Sequence, residues 1–250
     1  MRITDLVPVP DLLSVRRILC IQPHPDDMEV GAGATVGRLA RAGGRVRLVT
    51  VTDGGVGSPD PRQTPAELAA IRRGEAEEAA RILGVAEMGW LGFPDGGVLD
   101  EGAVRLALAR EIRAFQPEVV LAPDPWLPYE AHPDHRVTGL AAAAAALLAA
   151  FPWALRAGEG PERGHEVKAV GFYGTAAPNV RVDVGETWPL KIRALQAHRS
   201  QFPAESWPSV SGYLEAKARE HGAAAGCELA EAFKVLPTVA LHFNVDAAVS

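Results

Sequence analysis

The sequence predicts an α/β fold built on a mostly parallel sheet, and three observations point to it. Apolar, β-branched runs alternate with helical patterns over roughly the first 150 residues, which implies βαβ units with right-handed crossovers. The 250-residue chain is 48% hydrophobic and 22% charged, enough to bury a sizeable core. The densest clusters of His and Asp follow apolar strands, where open α/β sheets bind their ligands. No repeat, low-complexity segment or linker divides the chain. Residues 1–250 are therefore expected to form one domain, with the C-terminal third extending the sheet or lying over the site.

Taken in order, residues 1–14, with Pro8 and Pro10, read as a docking arm, and the apolar run 17–22 as the first strand. Gly31, Ala32 and Gly33 read as the exit from a turn, with a helix over 34–42 stopped by Gly43-Gly44. Residues 45–52 form the second strand, and 53–64 a loop rich in Gly, Pro and Asp. Thr64-Pro65-Ala66-Glu67 is a capping box with proline at the first helical position, opening a helix that runs to Leu83 and stops at Gly84. A short strand at 87–91, a turn at 93–97, a helix at 101–115 and a strand at 119–122 follow. The loop 123–133 is proline-rich and acidic, 135–151 is helical, and 152–166 is irregular. Strands are expected at 167–173 and 180–184, helices at 190–198 and 209–221, and a last strand at 239–245.

Composition also excludes partners. A net charge of −6 lacks the basic face that a nucleic-acid backbone demands. The most apolar stretch, 139–151, is short of the ~20 residues that span a bilayer, and no basic segment followed by an apolar run marks a signal peptide. No membrane association is expected. The two cysteines, Cys20 and Cys227, suggest no disulfide framework, so a reducing, cytoplasmic setting fits.

The chemistry concentrates in residues 21–31. His24, Asp26, Asp27 and Glu29 place an imidazole and three carboxylates within six residues, fenced by Pro23 and Pro25. Like charge so dense in a turn is costly unless a cation neutralises it, and the prolines reduce the entropy lost on ordering it. This reads as half a metal site, with His24 and Asp27 as ligands and Asp26 free to move protons. The second half is Glu130-Ala131-His132-Pro133-Asp134-His135, after the strand 119–122 and hence at the same sheet edge. Together they offer His24, Asp27 and one histidine of this pair. Three protein ligands with an open position are the pattern of catalytic zinc, whereas a structural site is closed by four. Either cluster alone reads as a capped turn with solvated charges; two on one edge do not.

Pro23-His24-Pro25-Asp26-Asp27 with the later His132-Pro133-Asp134-His135 resembles the PIG-L/LmbE-like zinc N-deacetylase family. Arg72 to Gly84, Leu91-Gly92-Phe93-Pro94-Asp95-Gly96, Ala194 to Gln201 and Ala230-Glu231-Ala232-Phe233 agree, so the likeness covers most of the chain. It implies a Rossmann-like three-layer fold and hydrolysis of an N-acetyl group on an amino sugar, with acetate released. It further implies His24, Asp27 and His135 as ligands of one Zn2+ per subunit (another divalent metal being compatible), Asp26 as general base, and His132 beside the metal, holding the oxyanion. Asp134 would orient a neighbouring imidazole. Arg72 and Asp95 would contact the sugar, although each also reads as an ordinary helix-surface arginine and turn aspartate. One departure is that Met28 stands where the family has an acid, with Glu29 one place later, which leaves Glu29 without an assigned role. His198 reads as a core histidine or one standing behind the site.

The implied substrate is N-acetylglucosamine or diacetylchitobiose; the runner-up is N-acetylglucosaminyl malate or inositol, as in thiol-cofactor biosynthesis. Outside the class, Gly31-Ala32-Gly33 with Asp53 imitates a dinucleotide-binding fingerprint, but Val36 occupies the third glycine position and the carboxylates repel a pyrophosphate. A non-catalytic sugar-binding protein would not need Asp26. Alternation over 239–245 places His242 on a polar face opposite Val239, Leu241, Phe243 and Val245. The resemblance implies that this histidine completes a neighbouring subunit's site in a homo-oligomer, a trimer or hexamer.

Overall fold

A computed structural model describes residues 3–156 and 158–249. The elements are α1 (Ile3–Leu6), β1 (Arg17–Gln22), α2 (Asp27–Arg41), β2 (Arg45–Thr52), α3 (Pro65–Leu83), β3 (Glu87–Phe93), α4 (Glu101–Phe115) and β4 (Val119–Pro123). They continue as α5 (Pro133–Leu148), β5 (Ala169–Tyr173), β6 (Val180–Asp183), α6 (Trp188–Ala197), α7 (Trp207–Ala225) and β7 (Ala230–Pro237). The described strands pair in the order β3-β2-β1-β4-β5-β7-β6. β3, β2, β1, β4 and β5 run parallel, and β7 is antiparallel to both β5 and β6.

The central strands are buried on both faces, as a parallel sheet between helices requires. Ile18 and Cys20 of β1 join one core with Val36 and Leu39 of α2, Leu83 of α3 and Ala194 of α6. Leu19 and Ile21 point the other way, into a core with Leu108 and Ile112 of α4 and Ala141 and Ala145 of α5. This is the expected three-layer α/β fold. The alanines that made 139–151 look like a buried helix are largely the inner face of α5, and no described helix is long and apolar enough to cross a membrane. The Thr64 capping box forms as expected, with Gly84 at the far end of α3 in the left-handed conformation.

The expected turn at 31–33 is instead helix. α2 starts at Asp27, and Gly31 and Gly33 lie inside it. Gly31 answers a tertiary demand: a Cβ there would stand 2.2 Å from Tyr173 Cδ2, and Tyr173 is held in place by its hydroxyl donating to the Ile21 carbonyl at 2.9 Å. β3 runs on to Phe93, and α5 spans 133–148 rather than 135–151. The irregular stretch after α5 is tied down by Arg113, which donates to the carbonyls of Ala149, Phe151, Ala154 and Leu155 and pairs with Glu162 at 2.7 Å.

Two further corrections concern the C-terminal segment. Residues 230–237, not expected as a strand, form the fully buried β7, with Glu231 and Lys234 inside. The strand expected at 239–245 does not form. Thr238–Leu241 is a 3-10 turn that buries Ala240, while Val239, Phe243 and Val245 are 55%, 98% and 94% exposed. Past Pro237 the chain leaves the sheet, so the alternation of 239–245 meets no partner strand.

Candidate metal centre and active site

β1 and β4 are adjacent, and their following segments leave in opposite directions, to β2 on one side and β5 on the other. A crevice opens at such a switch point, outside the carboxyl ends of the strands. The topology therefore brings 23–27 and 130–135 together, which no local pattern dictates. The Pro23 carbonyl accepts from both the N–H and the hydroxyl of Thr52 on β2, pinning the turn to the sheet. Asp26, the N-cap of α2, adopts φ 111°, a left-handed conformation rare for a residue with a side chain. The Asp26 carboxylate meets Arg72, whereas both Asp27 oxygens meet imidazoles.

His24 lies at the centre, and both its nitrogens face carboxylates. Nδ1 is 3.1 Å from Asp27 Oδ2, and Nε2 is 3.2 Å from both Asp95 Oδ1 and Asp134 Oδ2. His135 Nε2 lies 3.4 Å from Asp27 Oδ1, while its Nδ1 meets Glu130 Oε2 at 3.2 Å. Donor atoms of His24, Asp27 and His135 all fall within 4.8 Å of one another; His24, His132 and Asp134 make a second such set. In the first set each imidazole has one nitrogen toward the common centre and the other on a carboxylate, the arrangement that orients histidine ligands of metals. Although burial disfavours its charge, the Asp27 and Asp95 carboxylates push His24 up to about 10. Against the upward push of burial, His135 and His24 hold Asp27 well below the usual carboxylate range. A cluster that draws a proton onto an imidazole so strongly has a surplus of negative charge, and the donor set fits a divalent cation.

Asp26 stands outside that set. Burial first, and then the Asp27 charge, push it up to about 7 against the lowering pull of Arg72 and His198. Arg72 is buried and fastens the turn: it donates to the Pro25 carbonyl at 2.7 Å and the Gly54 carbonyl at 3.0 Å, with Nη2 3.4 Å from Asp26 Oδ2. His132, the N-cap of α5, packs edge-on to His24 at 4.7 Å between ring centroids and stacks on His135 at 4.8 Å. Its Nδ1 accepts from the Asp134 N–H at 3.3 Å, and burial and the neighbouring imidazoles lower its pKa. A neutral ring bonded that way carries its hydrogen on Nε2.

A cleft of about 260 Å3 opens over these groups, lined by His24, Asp26, Arg72, Asp95, His132 and Gln201, with Val56 and Gly57. The structure thus brings together every candidate at the sheet edge. His242 is exposed and outside this lining. A larger apolar cavity of about 620 Å3, walled by Trp126, Phe172, Leu241 and Phe243, lies under the C-terminal segment away from the imidazoles. Asp134 lies against an imidazole, and that imidazole is His24. Asp95 is drawn in more closely than expected: one oxygen is on His24 and the other accepts from the Val56 N–H at 3.1 Å. Glu29 and His198 are fully buried and face each other at 3.5 Å behind Asp26. Two residues without an expected role emerge, Glu130 against His135 and Gln201 in the cleft wall; the acidic loop before His135 was the available signal for the first.

Comparison with known proteins identifies relatives of the chain. Residues 19–146 match the PIG-L family, described as GlcNAc-PI de-N-acetylase. The diacetylchitobiose deacetylase of Thermococcus kodakarensis is 39% identical over 232 residues, covering 91% of this chain and 86% of the relative. The probable N-acetyl-alpha-D-glucosaminyl L-malate deacetylase 2 of Bacillus anthracis is 32% identical over 203 residues, covering 75% and 82%. The solved structure of N,N'-diacetylchitobiose deacetylase from Pyrococcus horikoshii, in complex with an inhibitor, superposes with a TM-score of 0.87 at 38% identity, covering 93% of this chain and 88% of that one. With both motifs at one switch point and likeness along most of its length, this chain belongs to the PIG-L family of metal-dependent de-N-acetylases.

Proposed function

We propose that the protein hydrolyses the N-acetyl group of an N-acetylglucosamine-containing sugar, free N-acetylglucosamine or diacetylchitobiose, with His24, Asp27 and His135 holding one zinc ion. The observation that carries this is a carboxylate, Asp26, kept out of a three-donor set yet lining a cleft together with His24 of that set. A cation held there would supply a Lewis acid for the acetyl carbonyl and acidify a water, and two imidazoles with one carboxylate suit zinc. The remaining work falls to the chain's own groups. Asp26 takes the proton of the attacking water and returns it to the departing amine, its direction set by Arg72 and by its left-handed backbone. His132 donates its Nε2–H to the oxyanion as charge develops. Asp95 and Asp134 fix the orientation of His24. Arg72 and Asp95 line the cleft and keep bonding capacity for sugar hydroxyls.

The more distant malate-deacetylase likeness favours a second reading, an N-acetylglucosaminyl malate or inositol substrate. A screen of acetate release over free, β-linked and aglycone-bearing N-acetylglucosamine separates the two, and no release from any of them would refute both.

The protein also acts as a homo-oligomer, a trimer or hexamer, in which His242 reaches a neighbouring subunit's cleft. What supports this is a C-terminal apolar surface around His242, with Phe243 and Val245 almost fully exposed. Mixing inactive His242→Ala and Asp26→Asn proteins should restore partial activity once subunits exchange. No recovery despite proven exchange, or full activity of a monomer, would rule it out. Cys20 and Cys227 remain free thiols, which suits a cytoplasmic setting.

A further inference from the structure

Helix α3 carries two buried charges one turn apart, and each fastens a different loop to the cleft. Arg72 holds Gly54 and Pro25. Glu75 holds the loop that follows α6: its carboxylate accepts from the Ser200 N–H at 2.9 Å and from the Ser200 hydroxyl at 2.6 Å. Since that hydroxyl donates to Glu75, it accepts from Gln201 Nε2 at 3.1 Å. The chain of bonds therefore fixes which end of the carboxamide faces Ser200, and it leaves Gln201 Oε1 turned the other way. Gln201 lines the cleft with His24, Asp26 and His132. Gly57 packs against that amide oxygen: a Cβ there would stand 2.7 Å from Arg72 Nη1 and 3.0 Å from Gln201 Oε1. A hydrogen-bond donor and an acceptor thus lie near one another on the cleft wall beside Gly57, where any side chain would press on both. Such a pair matches adjacent hydroxyls of a sugar, one donating to the amide oxygen and one accepting from the guanidinium.

We propose that Gln201 is a substrate-binding residue, its carboxamide oxygen accepting from a sugar hydroxyl next to the one held by Arg72, with Glu75 and Ser200 as its positioning residues. This rests on the amino-sugar reading above. The test is steady-state kinetics of the wild type, Gln201→Ala and Ser200→Ala on N-acetylglucosamine or diacetylchitobiose, whichever is turned over, and on monodeoxy analogues of that sugar. Gln201→Ala should raise KM about 3- to 10-fold, the value of one neutral hydrogen bond, with kcat and metal content unchanged. One analogue should be penalised by the same factor in the wild type and not at all in Gln201→Ala. Ser200→Ala should raise KM by a smaller factor, again at constant kcat. An unchanged KM in Gln201→Ala, or equal penalties for every missing hydroxyl in both proteins, overturns the assignment while the amino-sugar reading stands. A wild type inert toward every amino sugar overturns that reading and this assignment with it.

Discussion

Helix α2 meets two clusters of buried charge, one at its first residue and one along its next two turns. At the start, His24, Asp27, Asp95, Asp134 and His135 gather three carboxylates around one central imidazole, and the ring is driven to hold a proton. Further on, Lys191 and Glu231 meet at 2.7 Å, each with side-chain exposure of 4%. Glu231 accepts from the N–H groups of Ala34 and Thr35, and Lys191 donates to the Val30 carbonyl, the group an unbroken ladder would offer to Ala34. This second cluster is balanced in charge and satisfied by backbone. The first has excess negative charge and an open face. The difference teaches how to tell a site from a staple: both are buried and ionic, but only an unbalanced cluster facing a cleft demands something from outside the chain.

The largest effect should come from supplying or removing that missing charge. Exhaustive chelation is expected to abolish turnover, with Zn2+ restoring it, and to lower the melting temperature, because an ion that binds only the folded state stabilises it. Activity untouched by chelation would make the first cluster a second staple. Next comes the group that stands beside the donors without belonging to them. Asp26→Asn should reduce kcat by about 10²- to 10⁴-fold at unchanged metal content. Near-normal turnover would remove Asp26 from the mechanism.

What the sequence disclosed follows the same division. The two His-Pro-Asp clusters were legible because each follows an apolar strand and parallel strands share one carboxyl edge. Asp95 on His24 was not: an aspartate before Gly96 is a common turn residue, and only the placement of β3 beside β2 brings it near. Gly31 was misread because a glycine that admits Tyr173 looks the same as a glycine that makes a turn. β7 was missed as a strand because Glu231 and Lys234 break its apolar pattern, and their partners, on α6, α2 and the Ala248 carbonyl, come from distant parts of the chain. The segment 239–245 misled in the opposite sense, with a strand's alternation and no strand to pair with.

The staple should respond differently from the site. Lys191→Met leaves Glu231 as an uncompensated buried charge and is expected to cost about 3–5 kcal/mol of stability in denaturant titration. Turnover per folded molecule should hold. If the variant lost metal affinity in proportion to stability, the two clusters would be one unit. The smallest effect is expected outside both: Thr64→Ala removes the cap of α3 and should cost about 1 kcal/mol with kinetics unchanged. A loss of activity there would mean that Arg72 and Glu75 depend on the end of their helix.

The most direct test of the unbalanced cluster is calorimetric titration of Zn2+ into metal-free wild type, Asp27→Asn and Asp26→Asn proteins, with elemental analysis of each. The expected result is one ion per chain in the wild type and in Asp26→Asn, and a large loss of affinity in Asp27→Asn. Absence of a stoichiometric site, or equal binding by the wild type and Asp27→Asn, would contradict a cation held by His24, Asp27 and His135.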